Sequence, residues 1–241
     1  MTVASDHAAA FLQAIIANPA DDAVRLIFAD WLDDNGEPER AEFIRVQLRL
    51  AELRPLSAYF FTGEPEREEF DRLERREREL LPRQPYPSFP IRLMPTWRRG
   101  FVAEINCQLS DWIGEECPEC GETGVVRPYC SECHGTGRVG GHGPAIVRQQ
   151  PIERVVTERK SLGYAGGWCW FTEGDRLDTP DVLPTILIPA MNEVIRANET
   201  ACTLLGGMVR FDTEAAAMQA MSQALLAWAK GTDPANSGAP T

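Results

Sequence analysis

The sequence predicts an α+β protein with an N-terminal helical bundle, a mixed α/β body and a four-cysteine module inserted into that body. Three observations carry this. Apolar residues recur at helical spacing from Ala8 to Leu81; beyond a proline-rich stretch, period-two alternation mixes with helical runs; and Cys117, Cys120, Cys130 and Cys133 form two Cys-x-x-Cys pairs in one polar segment. The expected divisions are a helical domain over 1–81, a connector over 82–99, a body over 100–231 with the insertion at 115–143, and a disordered tail over 232–241.

The first helix is expected over Ala8 to Ala17, with Phe11, Leu12, Ile15 and Ile16 on one face. Asn18-Pro19 stops it, because a residue before proline is pushed out of the α region. The second should run from Asp22 to Asp34, burying Val24, Ile27, Phe28, Trp31 and Leu32, with Asn35-Gly36 as a left-handed cap. Pro38 suits the start of a third, to about Leu53, which offers Phe43, Ile44, Val46, Leu48 and Leu50 for burial. Residues 64–80 mix both charge signs at i,i+3 and i,i+4 spacing, as an exposed helix does, and leave Phe70, Leu73, Leu80 and Leu81 as a contact stripe. A solvated face packed along one edge is the leading expectation; a docking helix is the other.

Pro82, Pro85, Pro87, Pro90 and Pro95 mark an extended connector. After it, Gly100 to Cys107 alternates as a strand with Phe101, Ala103, Ile105 and Cys107 on one face. Ser110-Asp111-Trp112 begins a helix, and the cysteine segment interrupts from about Glu115 to Gly143. A short helix around Ala145-Ile146-Val147 and a strand over Ile152 to Thr157 resume the body. Gly167 to Phe171 and Met208 to Phe211 are further strands, and Asp212 or Thr213 caps a helix from Glu214 to Lys230.

The net charge of −12 disfavours general nucleic-acid binding, which draws most of its affinity from Lys and Arg on phosphates. One local exception remains open: Arg92, Arg98, Arg99, Arg138, Arg148, Arg154, Arg159 and Lys160 would make a basic face if they converged. Met1 to Asp6 carry no basic n-region and no apolar h-region, so no leader is expected, and no stretch comes near the roughly 18 apolar residues of a membrane span. Its cysteine usage suits a reducing compartment, so a cytoplasmic protein is expected.

Two Cys-x-x-Cys pairs at this distance supply a tetrahedral thiolate site for one structural Zn2+, with Cys117, Cys120, Cys130 and Cys133 as ligands. Thiol redox chemistry competes. It needs nearby positive charge to depress a thiol pKa, whereas Glu115, Glu116, Glu119, Glu122 and Glu132 crowd these cysteines. His134 and His142 flank the set and are expected to be solvated rather than ligands. Asp30, Arg40, Glu42 and Arg45 should form ion pairs fixing the second helix to the third. No Walker loop, Gly-x-Ser-x-Gly elbow or His-Glu-x-x-His helix occurs, and no catalytic residue is assigned.

Two stretches carry family likeness. Cys130-Ser131-Glu132-Cys133-His134-Gly135-Thr136-Gly137 fits a Cys-x-x-Cys-x-Gly-x-Gly unit, and Cys117 to Gly124 fits it less fully. Residues 115–140 thus resemble half of the cysteine-rich zinc domain of DnaJ-type chaperones, which implies zinc ligation and polypeptide contact. The His-Pro-Asp tripeptide of the J-domain is absent. Asn18 to Asp22, Arg25 to Gly36 and Glu39 to Gln47 resemble the planctomycete repeat-companion domain over residues 7–52. That resemblance implies a bacterial protein with no attached activity. Trp97, Arg99 to Val102, Asp111-Trp112 and Pro151 to Val155 are similar to the segment that follows the domain, implying a leucine-rich-repeat-like body.

The expected function is a non-catalytic zinc protein that binds or scaffolds a protein partner. A chaperone-like polypeptide binder, and an enzyme or nucleic-acid accessory protein without a local motif, remain as alternatives.

Overall fold

A computed structural model of the chain describes residues 3–57, 64–84, 93–121, 130–133, 138–157, 162–164, 167–172, 182–183, 185–197, 204–205 and 208–231. The tail after Thr232, and Pro85, Pro87, Pro90, Arg92, His134, Arg159 and Lys160, lie outside these residues. The chain divides into two compact units that are discontinuous in sequence: Met1–Pro90, Pro95–Glu104 and Arg148–Glu153 in unit 1, and Ile91–Met94, Ile105–Val147 and Arg154–Thr241 in unit 2. The fold is mixed and helix-rich with small sheets.

Unit 1 contains α1 (Val3–Ala17), α2 (Asp22–Asp34), α3 (Pro38–Ser57) and α4 (Glu64–Leu80), the last running into a 3₁₀ turn at Leu81–Arg83. Each helix packs on the next in sequence. Asp21 caps α2 by accepting the Ala23 N–H at 3.0 Å. At the other end Glu37 N–H donates to Leu32 O at 2.9 Å and Gly36 N–H to Asp33 O at 3.3 Å, with Gly36 at φ +83. This is the Schellman arrangement that left-handed glycine permits, and it turns the chain directly into Pro38 at the start of α3.

One apolar cluster joins Ile15, Phe28, Ala29, Leu32, Ala41, Ile44, Leu48 and Phe101. A second joins Phe43, Val46, Leu50 and Leu80, with Phe70, Leu73, Leu81 and Trp97 against them. The α4 stripe expected from sequence is thus the part of that helix that packs. Ile27, expected inside, is 56% exposed, and the guanidinium stem of Arg25 is buried in its stead. Arg25 Nη1 donates to Asp21 O at 3.1 Å while its buried Nε has no hydrogen-bond partner, and the guanidinium lies 5.7 Å from the Phe101 ring centre.

The expected four-residue ion network divides. Arg45 ties α3 to α2 through Asp30 at 2.6 Å and Asp33 at 2.7 Å. Glu42 instead accepts two 2.7 Å bonds from Arg76 of α4, and Arg40 pairs with Glu37. These groups sit at the surface, where each pair is worth about 0–1 kcal/mol.

β1 (Met94–Arg98) and β2 (Phe101–Cys107) are joined by the two-residue turn Arg99–Gly100, and the sheet order is β1-β2-β5, where β5 is Arg154–Thr157. Pro95, expected in irregular connector, stands in β1; an edge strand tolerates a missing N–H. Gly100 is required by packing: a Cβ there would lie 2.5 Å from Ile44 Cγ1. Gln47 completes the fit. It accepts the Gly100 N–H at 2.7 Å and donates to Glu77 at 2.8 Å.

Unit 2 holds a sheet in the order β6-β7-β10-β9, from Leu162–Tyr164, Gly167–Thr172, Met208–Phe211 and Leu204–Leu205, with β8 (Val182–Leu183) parallel to β7. β7 and β10 are antiparallel, Phe171 opposite Met208 and Trp168 opposite Phe211. α8 (Ile188–Ala197) packs along α9 (Glu214–Gly231), whose start is capped by Thr213 Oγ1 accepting the Ala216 N–H at 3.1 Å. Ser222 of α9 accepts the Val155 N–H at 2.8 Å, tying β5 to the helix. No helix among the described residues is long and apolar enough to cross a membrane.

Candidate metal centre

The four-cysteine module leaves unit 2 between α5 (Leu109–Ile113) and α7 (Gly143–Gln149). Its base is a two-stranded ribbon, β3 (Glu115–Glu116) against β4 (Arg138–Val139), with Glu115 opposite Val139 and Glu116 opposite Arg138. Below the ribbon the two chains almost touch. A Cβ on Gly114 would lie 2.4 Å from Val139 O, and one on Gly141 would lie 2.6 Å from the Ile113 carbonyl carbon. Gly143 approaches Trp112 in the same way, 2.7 Å from Cε2. Trp112 is fully buried and donates its Nε1–H to Leu225 O of α9 at 3.1 Å. The neck is therefore anchored to the unit's long helix by one indole.

Above the ribbon, Cys117 precedes the helical turn α6 (Pro118–Gly121) that carries Cys120, and a second turn holds Cys130 and Cys133. The structure brings all four predicted ligands together. Their Sγ atoms lie within 4.8 Å of one another, with Cys117–Cys130 and Cys120–Cys133 both at 3.7 Å. Those distances exceed a disulfide's by far, since a bonded pair lies at about 2.05 Å. They fit a tetrahedron of about 2.3 Å metal–sulfur bonds, whose edges are about 3.8 Å. All four cysteines are buried, and Val139 of β4 packs against them. Such a cluster can hold a metal ion.

The protonation chemistry points the same way. The Cys133 backbone N–H is the strongest influence on the Cys130 thiol and favours its ionisation, but burial and the neighbouring Cys133 and Cys117 sulfurs outweigh it and push the thiol up to about 12. Four thiolates at these separations repel one another, and a cation at their centre is what makes the ionised set stable. Glu119 on α6 adds to the repulsion, with Oε2 3.4 Å from Cys130 Sγ. Among the described residues no cation figures in the influences on the Cys130 thiol. Glu115, Glu116 and Glu132 are exposed around the centre.

Among the described residues the ligand group consists of cysteines alone. His142 belongs to the neck: its backbone N–H donates to Asp111 O at 3.0 Å and its carbonyl accepts from Ile146 at 3.0 Å. Sequence reasoning missed the neck glycines and Trp112 as module-positioning residues. Gly114, Gly141 and Gly143 bracketing a cysteine segment were the available signal. No protein-family model, curated protein or solved structure matches the chain.

Proposed function

We propose that this is a non-catalytic, zinc-containing binding or scaffold protein whose four-cysteine module is folded by one Zn2+ and presented to a protein partner. The observation that carries it is the closed, buried sulfur tetrad on a rigid neck. Four protein ligands leave no coordination position for a substrate, so the metal supplies shape. Zinc suits an all-thiolate set whose geometry is tetrahedral.

In this reading residues 7–52 are a repeat-companion-type helical bundle, the module is half of a DnaJ-like zinc domain, and the remaining body is leucine-rich-repeat-like, in a bacterial cytoplasm. Support for the first part is local: the capped end of α2 and the Pro38 start of α3 fall within the stretch that carries the resemblance. Large exposed hydrophobics among the described residues are Leu26, Ile27 and Met94, none of them in the module. The polypeptide-groove alternative gains no support from that distribution.

The test is purification of the full chain from its host without chelator, with metal and bound proteins measured on one sample. The expected result is stoichiometric zinc and a specific companion that is lost with Cys130→Ser. Freshly reduced protein with well below stoichiometric metal would overturn the zinc assignment, and a companion retained by the metal-free variant would overturn the module as contact surface.

A further inference from the structure

The geometry points to a binding site in unit 1 for a small phosphate- or carboxylate-bearing anion, held by Arg98 and Arg99 at the β1–β2 turn. A cavity of about 600 Å³ opens there, lined by Arg54, Thr96, Trp97, Arg98, Arg99 and Glu153. That volume is in the range of small-ligand sites, about 300–1,000 Å³. Its lining sets three guanidinium groups against one carboxylate, in a chain of net charge −12.

The arginines of unit 1 differ in how they are engaged. Arg45, Arg49 and Arg76 each have a carboxylate oxygen within 2.7 Å. Arg54 in the cavity wall is bound to both oxygens of Glu77, at 3.0 and 2.8 Å. Arg98 reaches Glu104 only at 3.6 Å, and Arg99 reaches Asp22 only at 3.6 Å and Pro19 O at 3.5 Å. Contacts of that length are ion pairs without a good hydrogen bond. Two planar forks thus keep short-bond capacity for a ligand, and the guanidinium fork matches carboxylate and phosphate oxygens.

Backbone geometry makes the placement specific. Arg99 is at φ +54 and Gly100 at φ +87. Two left-handed residues make the hairpin turn that favours Asn-Gly, and arginine is uncommon at its first position. Strain of this kind concentrates at ligand clamps. The turn cannot relax, because Gly100 is packed on Ile44 and its N–H is held by Gln47. Trp97 is fixed in turn by an edge contact with Phe43, ring centres 5.6 Å apart. Arg98 and Arg99 therefore project from a preorganised platform, which lowers the entropic cost of binding.

The experiment is calorimetric titration of the full chain with inorganic phosphate, adenosine monophosphate and succinate at low salt. Saturable binding of at least one is expected, and Arg98→Gln and Arg99→Asn should each weaken it about tenfold or more. Asparagine suits the left-handed position, so Arg99→Asn should melt no lower than the parent; Arg98→Gln, on an exposed strand end, is the second variant should the first fail to fold. Binding by phosphate and the nucleotide alone assigns a phosphoryl ligand, and binding by succinate alone a carboxylate. No saturable heat from any of the three, or variants that bind as the parent does, overturns the site.

Discussion

One methyl group added at Gly114 and one at Gly140 separates the two ways a glycine is needed in the neck of the module. Both residues have positive φ, +77 at Gly140 and +85 at Gly114, where ψ 174 falls in a region that essentially only glycine occupies, so alanine costs about 1–3 kcal/mol from the dihedral alone. At Gly140 the new Cβ meets nothing within 4 Å, and the cost should stop there. At Gly114 it would lie 2.4 Å from Val139 O and 2.8 Å from Gly141 N. To regain an ordinary C···O contact of about 3.3 Å, the chains must part by about 0.9 Å. Overpacking of this kind adds roughly 1–3 kcal/mol, giving about 2–6 kcal/mol in all. Val139 is both the partner of Glu115 in the ribbon and the apolar contact of the cysteine cluster, so the displacement reaches the ligands. Urea unfolding of metal-loaded protein, followed by chelator competition, measures both effects. Gly114→Ala should lose stability and metal affinity together, whereas Gly140→Ala should lose a little stability and retain its affinity. Equal effects at the two positions would refute the close-approach argument.

Cys130→Ser should purify without stoichiometric metal by elemental analysis, and the parent should release its metal on acidification as protons reclaim the thiolates. Glu119→Gln should tighten metal binding in chelator competition, because the carboxylate beside Cys130 repels a thiolate whereas an amide N–H donates to it. Gln47→Ala should cost about 1–3 kcal/mol in urea unfolding by orphaning the Gly100 N–H. Glu42 is held below its ordinary carboxylate value by the hydrogen bond from Arg76, against a smaller effect of burial. Its ionised form is therefore favoured in the folded state, so the contribution is complete at neutral pH and lost as pH falls through the carboxylate range. Arg76→Gln should flatten that acid limb slightly in stability–pH profiles, the groups being exposed.

The helices of unit 1 were legible because punctuation and periodicity agreed: Asn18-Pro19, Asn35-Gly36 and Pro38 fall within a residue of the observed ends. Ile27 was misplaced because the α2 stripe is narrower than its apolar content, and the long stem of Arg25 fills the space. β1 was hidden by Pro95, which argues against a strand except at an edge. The short strands β3, β4, β8 and β9 have two residues each, too few to show alternation, and exist through their partners. The sulfur tetrad was fully legible, since ligand spacing is a local property of the chain. Its neck was not, because the requirement at Gly114 comes from Val139 across the module rather than from neighbours in sequence.

Charge decides what such a knob can contact. Four thiolates around a divalent cation form a dianion, and Glu115, Glu116, Glu119 and Glu132 surround it as exposed carboxylates. The Arg138 guanidinium offsets part of this, but one of its nitrogens is bound to Gly114 O at 3.4 Å in the neck rather than at the cysteines. On the proposed zinc reading, loading the metal rigidifies the module while leaving these carboxylates at its surface. The partner proposed above is then one with a basic surface, the sign that complements such a field. The anion site in unit 1 has the opposite sign in its lining, and the two sites therefore select different chemistries on one acidic chain.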